Sequence, residues 1–401
     1  MKIAINGAGI AGPALAWWLQ HYGHEPVLFE RAPELRTGGY IIDFWGIGYD
    51  VAEKMGLLPE LREAGYRFES VRMVNRNGRQ IASLDVGSFQ SLLGNRFFSI
   101  ARGDIASIIF RACRGLETHF GKTVAGIRQH AAGVIVEVSD GSEREFDLVV
   151  GADGLHSQVR AKAFGPEAQF EHHLDCHVAA FPLANYRPRD ESVYVTHTVP
   201  KRQVGRAALR NDVSMFLFIF RSDLLGPLSE SRTHPKQILR EVFGDMKWEI
   251  PQILARLDEV EEVYFDRVSQ IRMDRWTTGR VALVGDAAAC VSFLAGEGTG
   301  LAIAEAYVLA GELHRAGGDY QTAFEQYEAK LRTFLAQKQK AATRIIGFFA
   351  PKTARGLFLR NLLMKVTSIP FLGNRLLGSA IRDDIQLPSY EPLPSTATKS
   401  A

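Results

Sequence analysis

The first residues of the chain place a glycine-rich turn between two short apolar segments. Residues 2–6 predict a strand, residues 10–22 a helix and residues 25–30 a second strand. Two parallel strands joined through one helix require a right-handed crossover, which is typical of α/β sheets. The glycines follow a G-x-G-x-x-G spacing at Gly7, Gly9 and Gly12. This arrangement therefore predicts an α/β fold that opens on a nucleotide-binding unit.

Each glycine of the turn has its own predicted role, and an acidic residue completes the pattern. Gly7 allows the tight turn, Gly9 lets the backbone approach a pyrophosphate, and Gly12 lets the helix pack on the strand. The helix begins near Ile10, and its first amides face the phosphates. Glu30 ends the second strand, where a carboxylate binds ribose hydroxyls and disfavours a 2′-phosphate. NAD and FAD both remain open, and a turn that binds nothing is the alternative.

Composition and cysteine content exclude several classes of protein. The chain has 401 residues, 46% of them hydrophobic, enough for one large domain with an insertion or for two domains. A formal net charge of +2 gives no indication of a nucleic-acid partner. The 3 cysteines are scattered without a C-x-x-C pair, so we expect no zinc site and no disulfides, and infer a reducing compartment. No metal site is expected.

The carboxy-terminal part of the chain, about residues 341–382, is apolar and basic. No acidic residue occurs between Glu328 and Asp383. We favour a long helix that packs across the molecule with its charges in solvent, and a membrane-surface segment is the alternative. No segment has the roughly 18 uninterrupted apolar residues of a membrane span, and the first residues do not resemble a signal peptide. We therefore expect a cytoplasmic protein.

Turn signals and apolar periodicity divide the middle of the chain. Residues 50–55 and 104–113 predict helices. Asn77-Gly78 and Asp140-Gly141 predict the turns of two hairpins. Residues 170–275 contain strand-like runs separated by proline, glycine and asparagine, which indicates a mostly antiparallel sheet.

Two further strand-to-helix turns lie far along the chain. In "DLVVGADGLHSQVR" a buried strand runs into Asp153, and in "GRVALVGDAA" another returns to the first domain and runs into Asp286. A glycine-rich loop over residues 296–300 then leads into a helix over residues 301–313. An aspartate at a strand end can accept hydrogen bonds from ribityl or ribose hydroxyls, and loop amides can stabilise negative charge on a flavin ring.

With these three turns in order, the chain resembles the class A flavoprotein monooxygenases, the family of p-hydroxybenzoate hydroxylase. The turns correspond to the family's glycine loop, DG motif and GD motif. "RTGGYIIDFWG", "ARGDI" and "GRVALVGDAA" are most similar to the branch of tetracycline-inactivating monooxygenases. The resemblance implies an α/β fold: a Rossmann-like FAD-binding domain with an antiparallel-sheet substrate domain and a long C-terminal helix.

The family fold divides the chain into four expected segments. Residues 1–170 and 276–340 would form the FAD-binding domain. Residues 171–275 would form the substrate-binding sheet, and residues 341–390 a C-terminal helical segment. The protein is expected to be a monomer or a homodimer.

The resemblance also implies which residues contact FAD. They are Gly7, Gly9, Ile10, Ala11, Gly12, Glu30, Arg31, Arg36, Asp43, Arg102, Asp153, Asp286, Gly296, Gly298, Thr299 and Gly300. Arg102 would reach the flavin chain or the pyrophosphate, and Asp153 belongs to a turn linked to both FAD and the nicotinamide cofactor. From the residues alone, Arg102 also fits a surface position at a helix start, Asp43 a loop cap, and Asp153 a simple turn.

Three positions near the expected flavin depart from the family pattern. Ala289 stands where a histidine is usual, Phe293 near a usual proline, and Glu297 where a glutamine is usual. Phe293 would add bulk over the flavin edge, and Glu297 would add a negative charge near the ring. These changes leave FAD binding as expected and bear on the reaction that follows it.

By resemblance, the activity is hydroxylation of an aromatic, phenolic or polycyclic small molecule, with tetracyclines as one example. NADH or NADPH and O₂ would be co-substrates, and a flavin C4a-hydroperoxide would transfer the oxygen. Phe216 and Phe218 alternate on one strand face and predict an apolar substrate wall, although core packing explains them equally. Arg210, Arg221 and Phe293 are further substrate candidates.

No residue is assigned a catalytic acid or base role. Two other functions remain open at this point. One is a flavoprotein reductase of the same fold acting on a lipid-like or prenyl substrate. The other is a ligand-binding protein with a vestigial flavin site.

Overall fold

The computed structural model describes residues 1–36, 39–226, 234–367 and 385–390. Its strands are β1 Lys2–Asn6, β2 Glu25–Glu30, β3 Ile41–Trp45, β4 Ser70–Val74, β5 Gln80–Asp85, β6 Phe97–Ala101, β7 Glu117–Phe120, β8 Val124–Gln129, β9 Val134–Val138, β10 Glu143–Phe146, β11 Leu148–Gly151, β12 Glu171–Ala184, β13 Val193–Val199, β14 Arg202–Ala208, β15 Val213–Arg221, β16 Tyr264–Ile271, β17 Thr277–Thr278 and β18 Val281–Leu283. Its helices are α1 Ala11–His21, α2 Gly46–Lys54, α3 Leu58–Ala64, α4 Val86–Leu92, α5 Arg102–Ala112, α6 Gln158–Ala163, α7 Pro235–Phe243, α8 Ile250–Ala255, α9 Asp286–Ala289, α10 Gly298–Arg315, α11 Tyr320–Phe349 and α12 Ala354–Thr367.

A six-stranded sheet in the order β17-β18-β11-β1-β2-β7 carries the glycine turn. All neighbouring pairs are parallel except β17 with β18. Ile3 and Ile5 in β1 are 0% exposed, as expected for a parallel strand covered on both faces. The predicted strand–helix–strand unit is confirmed, with α1 starting one residue later than expected.

A seven-stranded sheet in the order β16-β12-β15-β14-β13-β4-β5 forms the second layer. Its pairs are antiparallel except β13 with β4, so the predicted antiparallel sheet is confirmed. The hairpin predicted at Asn77-Gly78 is present, with Gly78 at φ +75°. Its strands β4 and β5 pair with this sheet, although the expected FAD-binding segment 1–170 includes them. The domain boundaries stay a prediction.

Helix α2 begins at Gly46, four positions before the predicted helix over residues 50–55. Trp45 is extended and Gly46 has φ +66°, so the chain turns sharply from β3 into the helix. Gly48 in its first turn contacts α10, and a Cβ at Gly48 would lie 2.2 Å from the Cα of Gly300. The pattern of apolar residues did not predict this first turn, because its glycines carry no side chain.

Helix α10 packs against α1, α2 and α11, and glycines let it pack closely near both ends. Gly300 lies against α2, and Gly311 lies against the ring of Tyr390, where a Cβ would come within 2.2 Å. The Tyr390 hydroxyl donates to Glu312 Oε1 in the same helix. Residues 385–390 are therefore fixed on α10.

The expected C-terminal segment 341–390 contains parts of two helices. Helix α11 starts at Tyr320, because the Asp319 carboxylate accepts hydrogen bonds from the amides of Gln321 and Thr322. It ends before Pro351, whose ring disfavours helical backbone at the preceding residue. Helix α12 follows, and residues 368–384 lie outside the described residues. No helix in the described ranges is long and apolar enough to cross a membrane.

Candidate functional site

One cavity brings together the three turns that lie far apart in the sequence. It opens at the carboxyl ends of β1 and β11, where an α/β sheet binds nucleotides. Fourteen of the predicted residues line it: Gly7, Gly9, Ile10, Ala11, Glu30, Arg31, Arg36, Arg102, Asp153, Asp286, Phe293, Gly296, Gly298 and Thr299. The convergence of separate loops that FAD binding requires is therefore present.

The glycine turn has the close contacts that only glycine allows. Gly7 has φ +112°, and a Cβ there would lie 2.5 Å from the carbonyl oxygen of Ala152. Gly12 lies behind the turn instead of lining the cavity, and a Cβ there would lie 1.9 Å from the Gly7 oxygen. Gly9 instead faces the side chain of Arg102, with a Cβ position 3.5 Å from Nη2. The turn is thus closely packed at Gly7 and Gly12, whereas Gly9 leaves room on the side of the cavity.

Glu30 holds the glycine turn in place. Its Oε2 accepts a hydrogen bond of 2.7 Å from the amide of Ala8, and its Oε1 accepts one of 2.9 Å from the amide of Ala32. Each carboxylate oxygen keeps a second lone pair, and Glu30 lines the cavity. One side chain therefore orders the turn and remains an acceptor for ribose hydroxyls.

Arg102 supplies a positive charge beside the glycine turn. It is the first residue of α5, and its amide donates to the Tyr40 carbonyl at 3.1 Å. Its guanidinium makes no hydrogen bond or ion pair to another residue of the described ranges, although it lines the cavity. Five donors are thus available for an anionic group.

Asp286 lines the same cavity. It follows Gly285, which has φ +64°, and begins α9. Burial raises the pKa of the Asp286 carboxyl, while the charge of Arg102 and a hydrogen bond from Cys290 act in the opposite direction. A buried carboxyl facing a cation and a cavity is suited to accept hydrogen bonds from a polar ligand.

A buried glutamate fixes the turn that carries Asp286. The amide of Gly285 donates to Glu305 Oε2 at 2.7 Å, and the Tyr327 hydroxyl donates to the same oxygen at 3.3 Å. Burial raises the pKa of Glu305 well above its usual value. Sequence reasoning missed both residues, although a lone carboxylate within the apolar run "LAIAEAY" was an available signal.

Asp153 lines the cavity, but its carboxylate is already bound. Oδ2 accepts from Asn6 Nδ2 at 2.9 Å and from the amides of Gln158 and Val159, and Oδ1 accepts from Ser157 Oγ. The side chain therefore joins β1 to the start of α6. These bonds match the interpretation as a turn, and the cofactor role of Asp153 stays a prediction.

Two predicted cofactor residues line a smaller neighbouring pocket instead. Asp43 and Gly300 face it together with Trp45 and Glu297. Asp43 Oδ1 accepts a hydrogen bond of 2.6 Å from Ser99. Their contact with FAD remains a prediction.

Most of the predicted substrate residues lie away from the cavity, and their contact with a substrate stays a prediction. Phe216 and Phe218 are 0% exposed, and Phe218 meets Phe243 edge-to-face at 4.8 Å between ring centroids. Arg221 Nε donates to the Ala350 carbonyl at 2.9 Å, and Arg210 donates to backbone carbonyls of residues 63–65. Core packing, the alternative interpretation, accounts for the two phenylalanines.

Phe293 does line the cavity, as part of an aromatic cluster that sequence reasoning missed. Its ring centroid lies 4.5 Å from that of Tyr40 and 5.9 Å from that of Tyr264. Tyr264 belongs to β16 of the second sheet and is 39% exposed. The cluster therefore brings Tyr264 of the second sheet against the loop that follows the GD turn, and its members come from three segments of the chain.

His156 crosses from the DG turn to the second sheet at the same edge. Its Nδ1 lies 2.9 Å from Glu167 Oε1, and its Nε2 lies 3.2 Å from Asp266 Oδ2. The hydrogen bond to Asp266 is the main cause that raises the pKa of His156 to about 9. The imidazole is therefore a cation at neutral pH.

These residues fit FAD. The glycine cradle and the free donors of Arg102 match a pyrophosphate, and the carboxylate of Glu30 matches a ribose. The first amides of α10, at Gly298, Thr299 and Gly300, have no partner within the helix and match the electron-rich edge of a flavin.

Comparison with known proteins agrees with this geometry. A family model described as an FAD binding domain matches residues 1–339. A flavin-dependent monooxygenase of Legionella longbeachae is 35% identical over 340 residues, which cover 85% of this chain and 87% of the relative. The chain therefore belongs to the FAD-binding class A flavin monooxygenases, and the predicted family is confirmed.

Two crystal structures of tetracycline destructases have the same fold as this chain. Tet(55) superposes with a TM-score of 0.83 at 31% identity, covering 97% of this chain and 98% of that chain. Tet(51) superposes with a TM-score of 0.81 at 30% identity, covering 97% and 99%. The predicted mixed α/β fold with an antiparallel sheet and C-terminal helices is confirmed.

Proposed function

We propose that this monooxygenase uses NADH or NADPH and O₂ to hydroxylate an aromatic, phenolic or polycyclic small molecule. The observation that carries the proposal is the shared cavity, which is lined both by the nucleotide-binding loops and by the cluster of Tyr40, Tyr264 and Phe293. Aromatic side chains provide large flat surfaces for a planar ring system.

Different residues of the cavity would bind different parts of FAD. Glu30 would accept the ribose hydroxyls, and Arg102 with the amides of the glycine turn would bind the pyrophosphate. Asp286 would accept from the hydroxyls of the flavin chain. Bound FAD supplies the electron and oxygen transfer, so the chain itself must bind, orient and exclude water.

Transient use of the nicotinamide cofactor agrees with the sequence. The described residues contain one glycine turn of the dinucleotide type, and Glu30 there disfavours a ribose 2′-phosphate. NADH or NADPH would therefore bind only transiently, transfer a hydride and leave.

The proposed substrate class includes tetracyclines. Two proteins of known structure that are 30% and 31% identical to this chain are described as tetracycline destructases. Phe293 and Tyr264 stack at 20° between ring planes, which suits contact with a flat polycyclic ligand. Simple phenols fit the same surface.

The test uses purified protein loaded with FAD. We expect NADH or NADPH oxidation to accelerate when a substrate from a panel of phenols and tetracyclines is added, with O₂ consumed and one oxygen atom gained by the product in mass spectrometry. A hydrogenated product without O₂ consumption would identify a reductase instead. No acceleration by any panel member would contradict the proposed substrate class.

A further inference from the structure

An ion pair lies directly behind the glycine loop of the GD region. Lys338 Nζ lies 2.9 Å from Glu297 Oε2, and the two side chains are 12% and 18% exposed. Glu297 is the N-cap residue of α10, whereas Lys338 lies in the middle of α11. The pair therefore ties the start of one helix to the body of another.

The surroundings of the pair strengthen it. The ammonium of Lys338 lies 5.5 Å from the ring centroids of both Trp45 and Phe334. Glu297 lines the small pocket shared with Asp43 and Gly300. Charges shielded from water interact more strongly than charges at an open surface.

Glu297 is placed where its charge affects the cofactor cavity. Its two neighbours, Gly296 and Gly298, both line that cavity. The amides of the first turn of α10 carry partial positive charge, which favours negative charge on a ligand. A carboxylate at the N-cap could bind those amides itself, yet the side chain of Glu297 does not cap the helix.

We propose that Lys338 is a positioning residue that neutralises Glu297 and holds its carboxylate away from the amides of α10. The start of α10 then keeps its positive potential for the flavin. This matters most after reduction, because a hydride brings two electrons and one proton to a neutral flavin and leaves the ring with a negative charge. Lys338 thus offsets the effect of the Glu297 charge and keeps the reduced state accessible.

The proposal is tested by the reduction potential of bound FAD, measured by anaerobic titration against a reference dye. Lys338→Met removes the cation that is paired with Glu297. We expect it to weaken the binding of reduced FAD relative to oxidised FAD by roughly tenfold, which lowers the two-electron potential by about 30 mV. Glu297→Gln leaves the charge of Lys338 and is expected to raise the potential.

Two further variants separate electrostatics from damage to the fold. The double variant Lys338→Met with Glu297→Gln removes both charges, and its potential is expected near that of the parent protein. Lys340→Met, at an exposed position of the same helix, is the matched control and should leave the potential unchanged. Near-ultraviolet circular dichroism reports whether each variant keeps its tertiary packing.

Equal potentials in all variants would overturn the proposal. Shifts of the same sign in Lys338→Met and Glu297→Gln would also overturn it, because they would indicate a structural role alone. The measurement needs FAD and no substrate, so its outcome is independent of the proposed hydroxylation. A failed substrate panel would leave the potentials measurable.

Discussion

At the scale of single residues, the site depends on side chains that serve the fold and the ligand together. Glu30 orders the glycine turn through the amides of Ala8 and Ala32 while it faces the cavity. Asp153 is bound by four donors of the fold, so its side chain serves the turn. Arg102 has its donors available. A motif names such residues, but only the contacts show how their atoms are used.

Glu30→Ala removes the acceptor of two amides of the glycine turn. We expect the free energy of unfolding to fall by about 2 kcal/mol and the affinity for FAD to fall at least about tenfold. Urea unfolding and quenching of FAD fluorescence measure the two effects. Glu25→Ala, at an exposed position of the same strand, is the control and should change neither. Unchanged FAD affinity in Glu30→Ala would contradict the ribose role.

Asp286→Ala is expected to lose FAD while staying folded. Burial raises the pKa of the Asp286 carboxyl, so its ionised form destabilises the native state at neutral pH, and alanine removes that cost. Loss of the acceptor is expected to weaken FAD binding about tenfold or more. The visible spectrum of the purified variant measures occupancy, with Asp286→Asn as the isosteric control. Full yellow occupancy in Asp286→Ala would contradict the assigned role.

At the scale of elements, local patterns predicted more than long-range pairing did. The unit of β1, α1 and β2 follows from a glycine turn between apolar segments, and its bounds agree with the prediction. The hairpin of β4 and β5 was predicted as a hairpin, but its sheet depends on pairing with β13, far along the chain. No local signal specifies that partner.

The substrate wall shows a different limit of sequence reasoning. Strand β15 is apolar at successive positions, because both of its faces pack against other elements. Phe216 and Phe218 share the face toward α7, whereas Leu217 and Ile219 lie on the opposite face. Periodicity of two marks a face only when the other face is polar. The sequence therefore could not show that both faces of β15 are packed in the core.

The contact between α2 and α10 predicts opposite effects for two glycine substitutions. A Cβ at Gly48 would lie 2.2 Å from Gly300 Cα, so Gly48→Ala is expected to destabilise the protein by about 1–3 kcal/mol and to weaken FAD binding. Gly347 in α11 has no atom within 4 Å of its Cβ position. Gly347→Ala should stabilise by about 0.5–1 kcal/mol. Urea unfolding of both variants tests the pair, and equal effects would contradict the packing argument.

At the scale of the whole molecule, side chains at the rim of the cavity connect the two sheets. Tyr264 of the second sheet stacks with Phe293 of the GD region, and His156 of the DG turn binds Asp266 of β16. Asp266 lies 110 residues after His156, and Phe293 follows Tyr264 only after two further strands and a turn, so sequence patterns could not pair them. FAD would therefore bind at a junction and not within one sheet.

The His156 link predicts a dependence of stability on pH. Because the pKa of His156 is raised to about 9 in the folded protein from 6.5, its contribution is complete below about pH 6.5 and is lost as the pH rises through about 9. The side chain is 47% exposed, so we expect only about 0–1 kcal/mol. Urea unfolding near pH 6 and near pH 10 should show a larger deficit of His156→Gln at the lower pH. An equal deficit at both pH values would contradict the ion pair.

Helix α10 meets the protein through glycine at both ends and through Glu305 between them. Rotation or sliding of α10 would push its backbone into α2 at one end and into the ring of Tyr390 at the other. We therefore expect α10 to move together with three segments: the glycine-rich loop that precedes it, the GD turn and residues 385–390. An insertion anywhere in α10 should disturb the glycine-rich loop over residues 296–300, even when it is made at the opposite end of the helix.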